Sequence, residues 1–199
     1  MNLRQAHGMG RWALAFPALL LALVACGDSD SPDTAPDQQQ QRPDIQQAID
    51  ELEANVGFRP VAPTYLPEGL DPTPETAFSR TETEQTAIIA FFPQEDNQAQ
   101  PPPPAVLEIT QDPAEGRTCP LCPGGDLKEF DLKGQPALAE EGALSDEKLV
   151  YYVLYFIIGD VLVTLNAEWD VPEGSELDKP TDEMKQQLVR VAESMLAQA

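Results

Sequence analysis

Between residues 148 and 169 lies an apolar and aromatic run, Leu149–Ile158, broken by Gly159-Asp160 and resumed at 161–165, and nothing else in the sequence restricts the fold as much. Leu149–Ile158 is almost entirely Val, Leu, Ile, Tyr and Phe, side chains that suit a pleated surface. Residues 161–165 resume the pattern after a Gly-Asp pair that suits a two-residue turn. The expectation is a β-hairpin. On its first arm Tyr151, Val153, Tyr155 and Ile157 point one way, and Tyr152, Leu154, Phe156 and Ile158 the other. Both sets are apolar, which predicts a central strand covered on both faces. A membrane span is the rival reading, but Asp160 interrupts the run, whose arms are shorter than the roughly 20 residues a spanning helix needs.

Further strands are expected at 76–80, 86–92, 106–111 and 127–132, with a shorter one near Ala137. Helical spacing appears twice. Ile45, Ala48, Ile49, Leu52 and Val56 recur after Pro43-Asp44 and stop at Gly57, and Met184, Leu188, Val191 and Met195 form a stripe behind the acidic start Thr181-Asp182-Glu183. Between them, 58–69 is too rich in proline for a central strand and predicts an extended edge near Val61 followed by a turn. Residues 94–104 end in four prolines and read as a stiff surface loop, with a polyproline II ligand as the alternative. The fold class expected is α+β: a twisted antiparallel sheet with an N-terminal and a C-terminal helix packed on it, all within one domain spanning 44–199.

The N-terminus has a different character. Arg4 and Arg11 precede an apolar stretch, Val24 and Ala25 supply small residues, and Cys26 follows. Leu23-Val24-Ala25-Cys26 resembles the lipobox of bacterial lipoproteins. That resemblance implies a signal peptide at 1–25, cleavage before Cys26 and a diacylglycerol, with acyl chains such as palmitate, on its thiol, which anchors a protein durably. The alternative is an ordinary cleaved signal with a chance cysteine. Residues 27–43 hold almost nothing apolar and cannot offset the entropy of ordering. With Cys26 they form an acidic, Pro- and Gln-rich tether, and the localisation expected is extracytoplasmic, on the periplasmic side in a Gram-negative cell.

Charge and residue inventory exclude more than they include. The chain has 12 basic and 34 acidic residues, and loss of Arg4 and Arg11 with the signal takes the net charge from −22 to −24. Such a charge repels phosphate backbones, so nucleic acid is not an expected partner. The single histidine, His7, also falls in the signal; triads and zinc sites built on imidazole are therefore excluded from the mature chain. Cys119 and Cys122 stand as Cys-Pro-Leu-Cys among Pro120, Pro123, Gly124 and Gly125. That spacing admits a structural disulfide, a thiol-disulfide exchange site, or metal binding with carboxylates from elsewhere. No cofactor and no catalytic set is expected.

Residues 56–61, Val-Gly-Phe-Arg-Pro-Val, lead to 63–70, Pro-Thr-Tyr-Leu-Pro-Glu-Gly-Leu, and Gly134-Gln135-Pro136-Ala137, the 148–169 hairpin and 190–195, Arg-Val-Ala-Glu-Ser-Met, follow in order. This succession is similar to a family of bacterial extracytoplasmic domains found in lipoproteins and in the sensor regions of membrane-bound anti-sigma factors. The resemblance implies a short helix, a meander, an apolar hairpin and a final helix, and brings no catalytic residues. The cysteine and tetraproline loops depart from its pattern. Three functions are open on these grounds: a non-enzymatic envelope domain that binds a protein or peptide; a carrier of a small apolar ligand or acyl chain, in a pocket lined by Phe91, Phe92, Tyr151 and Tyr155; and a redox protein acting through Cys119 and Cys122.

Overall fold

The computed structural model describes residues 45–81, 84–114, 121, 127–144, 147–172, 175 and 177–198. All of them fall in one compact unit, Gln39–Ala199. Helix α1 (Ile45–Val56) is followed by seven strands, β1 (Glu75–Arg80), β2 (Gln85–Phe91), β3 (Val106–Pro113), β4 (Lys128–Leu132), β5 (Gln135–Leu144), β6 (Leu149–Ile158) and β7 (Val161–Asp170), and by helix α2 (Asp182–Leu196). The strands make a single antiparallel sheet in the order β1-β2-β3-β7-β6-β5-β4.

The expected α+β class and the two helices flanking an antiparallel sheet are therefore what the chain adopts. Helix α1 buries Ala48, Ile49, Leu52 and Val56. It ends where Gly57, at φ +81°, takes the left-handed conformation and donates its N–H to the Glu53 carbonyl. Helix α2 starts at Thr181, whose hydroxyl accepts from the Met184 N–H. It buries all four residues of the Met184–Leu188–Val191–Met195 stripe. The β6–β7 hairpin turns at Gly159, φ +60°. A second tight hairpin joins β4 to β5 through Lys133 and Gly134, φ +53° and +83°, the pair of positive values a type I′ turn requires. The Asp131 carboxylate accepts from the Gly134 N–H and fixes that turn.

Register divides the sheet into two faces. The buried cluster takes Ala87, Ile89 and Phe91 from β2, Leu107 and Ile109 from β3, Val163, Leu165, Ala167 and Trp169 from β7, and Val150, Tyr152, Leu154 and Phe156 from β6. Cross-strand pairing puts all of these on one side. Both helices belong to the same cluster; α1 lies over β1 and β2, and α2 over β4, β6 and β7. The Pro-rich segment 58–67 completes the cover. Gln111, fully buried on the cluster side of β3, donates from Nε2 to the Val61 carbonyl at 2.9 Å and accepts from the Val61 N–H at 2.7 Å. Ser194 of α2 accepts from the N–H groups of Thr64 and Tyr65 through its hydroxyl.

Two sequence expectations are corrected here. The segment near Val61 is not an edge strand, because a side-chain amide already takes both of its backbone groups; the true edges are β1 and β4. The 94–104 loop is not wholly a surface feature, since Pro103 and Pro104 are buried. Among the described residues the helices lie on one face of β6 only, and along β2, β3 and β7 buried residues alternate with half-buried ones. Among the described residues no helix is long and apolar enough to cross a membrane.

Candidate functional site

The other side of the sheet, uncovered by any described helix, carries Tyr151, Val153, Tyr155 and Ile157 from β6. Across the ladders it continues through Gly142, Glu140 and Leu138 on β5, Glu168, Asn166, Thr164 and Leu162 on β7, and Glu108 and Thr110 on β3. Its centre is apolar: Leu138, Val153 and Leu162 are 5, 9 and 6% exposed although no described helix covers them.

Tyr151 is placed by a gap in β5. Gly142 stands directly opposite it, and a Cβ at Gly142 would fall 2.7 Å from the Tyr151 hydroxyl oxygen and 2.9 Å from Cε1. The missing side chain lets the ring lie across the neighbouring strand, the arrangement by which an aromatic compensates a strand glycine. From there the Tyr151 hydroxyl donates to Glu140 Oε1 at 3.2 Å. Burial, followed by the nearby Glu140 charge, pushes the Tyr155 phenol above the usual tyrosine range. On the other flank Glu168 accepts from Asn166 Nδ2 at 3.2 Å and Glu108 from Thr110 Oγ1 at 3.3 Å.

Positive charge is concentrated elsewhere. Glu141, one residue from Glu140 and so on the helix side, accepts from Lys128 Nζ at 2.8 Å and Lys185 Nζ at 3.1 Å. Those hydrogen bonds hold its carboxyl below the ordinary value. Lys185 also meets Asp182 Oδ1 at 3.0 Å, and the Asp182 and Glu141 contacts raise its ammonium pKa. Arg80 bonds the Asn55 carbonyl of α1, and Lys133 pairs with Glu193 of α2.

A second concavity, about 460 Å³ in volume, lies at the start of α2 between Tyr65, Pro101, Gln187 and Arg190. Gln187 Nε2 reaches the Pro101 carbonyl at 3.5 Å, and its Oε1 is buried without a partner among the described residues. Among the described residues no group of three His, Cys, Asp or Glu is arranged to hold a metal ion.

Of the four residues expected to line an apolar pocket, Tyr151 and Tyr155 do share a face. Phe91 is fully buried on the opposite face, and Phe92 lies past the end of β2 and is 39% exposed. The four do not enclose one cavity, because strand alternation sends Phe91 to the core. Cys26, Cys119 and Cys122 lie outside the described residues. The disulfide expected between Cys119 and Cys122 falls on those residues and is not carried further. Glu140, Gly142 and Gln111 were not singled out by sequence; each depends on a partner 9 to 50 positions away that only the register reveals.

Comparison with protein-family models, curated proteins and solved structures finds no match to this chain. Its function must therefore be read from its own residues.

Proposed function

We propose that this chain is a non-enzymatic domain, anchored outside the cytoplasm through lipid on Cys26, that binds a protein or peptide partner on the uncovered face of its sheet. The observation that carries this reading is the face itself: an apolar centre with half-buried tyrosines, rimmed by polar groups and overlain by no described helix. Interfaces have that anatomy, with aromatic residues at the middle and a polar rim. A flat sheet face suits a protein segment better than a small apolar molecule, which needs a concave, enclosing site. The lipobox-like sequence at 23–26 and the acidic 27–43 stretch favour display at a membrane surface.

Site-specific photo-crosslinking in intact cells tests the reading. A crosslinker placed at Tyr155 should give a discrete protein adduct, and one at Phe78, exposed on the β1 edge, should not. Equal or absent adducts at both positions would remove the basis for docking on this face.

A further inference from the structure

We infer that the partner segment is cationic: an extended stretch bearing Lys or Arg that lies along β6 on the uncovered face. This rests on the docking reading above and adds its chemistry. Register assigns Glu75, Glu108, Glu129, Asp131, Glu140 and Glu168 to that face, whereas no Lys or Arg occupies a strand position on it. The two strand cations, Arg80 and Lys128, are on the helix side, bound to Asn55 of α1 and to Glu141. The asymmetry is a property of placement. Composition alone does not produce it, because the helix side of the same sheet balances its acids with Lys128, Lys133 and Lys185.

The arrangement fits cationic side chains in particular. Glu108 on β3 and Glu140 on β5 lie on one cross-strand row, with Asn166 and Val153 between them. At about 4.8 Å per strand they are roughly 14 Å apart. They flank a strip formed by Tyr151, Val153 and Tyr155. An extended segment on that strip sends alternate side chains towards opposite flanks, so ammonium or guanidinium groups reach carboxylates while their stems lie against the half-buried Tyr151 and Tyr155. The tyrosine rings add a favourable surface for the same cations. The Tyr151 hydroxyl holds Glu140 before any ligand arrives, which lowers the ordering cost of binding.

Charge also decides against other occupants. A second copy of the chain would bring its own acidic face against this one. The 27–43 stretch, with Asp28, Asp30, Asp33 and Asp37 against Arg42 alone, is repelled in the same way.

The test is a titration of the isotope-labelled full-length chain with a heptapeptide of alternating Lys and Thr, read by amide chemical shifts, alongside peptides with Ser or Glu at the Lys positions. The Lys peptide should perturb β5, β6 and β7 and weaken at least tenfold between low and high salt. The combined Glu108→Gln, Glu140→Gln and Glu168→Gln variant should raise Kd about tenfold, with an unchanged melting curve showing that it is folded. Tyr155→Leu, which keeps apolar bulk and removes the aromatic face, should raise it about threefold. Equal binding of the Ser or Glu peptide, shifts confined to α2, or concentration-dependent self-association through this face would each overturn the cationic assignment. If no peptide binds but the Tyr155 crosslinker still captures a partner, only the charge chemistry fails. If the crosslinks are also absent, docking on this face fails with it.

Discussion

Replacing Gln111 by Leu tests how the Pro-rich segment is held across the sheet. The side chain is fully buried, and its amide makes two hydrogen bonds, both to the backbone of Val61, 50 residues earlier. Leu matches its size but can neither donate nor accept. The Val61 N–H and C=O then lose their only assigned partner, and a backbone group left unpaired in a buried place costs about 1–3 kcal/mol. Val61 is itself half-buried, so water reaches part of the gap and the lower half of that range applies to each group. The expected loss is about 2–4 kcal/mol. For a unit the size of Gln39–Ala199, an unfolding entropy of about 0.3 kcal/mol/K makes this a fall in Tm of roughly 6–13 °C. Urea unfolding followed by the fluorescence of Trp169, which is 1% exposed, gives the free energy. Amide exchange gives the location: Val61 should lose protection while the β6–β7 ladder keeps it at the global level. A loss below about 0.5 kcal/mol, or unchanged exchange at Val61, would show that apolar packing alone holds the segment and that the reasoning is wrong.

Further perturbations address other parts of the account. Gly142→Ala should push the Tyr151 ring off β5, weakening Lys-peptide binding several-fold while changing stability by less than about 1 kcal/mol; unchanged binding would separate Tyr151 from the site. Lys133 holds φ +53° in a type I′ turn, so Lys133→Asn should stabilise the fold by about 0.5–1 kcal/mol in urea unfolding, a gain the loss of its exposed Glu193 pair offsets little. Glu141 has a depressed carboxyl pKa, so its contribution is present above its ordinary value of 4.5 and is lost as pH falls through the lower folded value. Lys185 has a raised pKa, so its contribution is full below 10.5 and is lost as pH rises beyond that. Glu141→Gln should therefore flatten the acid limb of a stability-pH curve, and a curve identical to that of the parent chain would contradict the assignment. Cys26→Ser should abolish incorporation of an alkyne-labelled fatty acid; retained label would place the anchor elsewhere or remove it.

Much of the architecture was legible in the sequence because local signals and burial agree. The β6–β7 hairpin combines β-branched and aromatic arms with a Gly-Asp turn, and both helices have apolar stripes bounded by Gly57 or capped by Thr181. Strand β5 is longer than the stretch expected near Ala137, because Glu140, Glu141 and Gly142 have poor strand propensity on their own. They become strand through pairing with β6, through the Lys128 and Lys185 contacts of Glu141, and through the Tyr151 ring that occupies the space over Gly142. The site was only half legible. Tyr151 and Tyr155 stood out as aromatic, but an unbroken apolar strand does not say which side is covered. A tyrosine with its hydroxyl on a carboxylate serves a half-wet face as well as a core. Phe91 and Phe92 were grouped with them on chemistry alone, and strand alternation separates them.

The proposed binding depends on the placement of acids on one face more than on total charge. Two variants with the same change in net charge test it most directly by their Kd for the Lys-Thr peptide. One neutralises Glu108, Glu140 and Glu168 on the uncovered face; the other neutralises Glu51, Glu84 and Glu183, which are exposed and lie outside it. The account predicts about a tenfold loss of affinity in the first and less than about twofold in the second. Equal losses would show that the peptide responds to overall acidity and that the uncovered face is not its site.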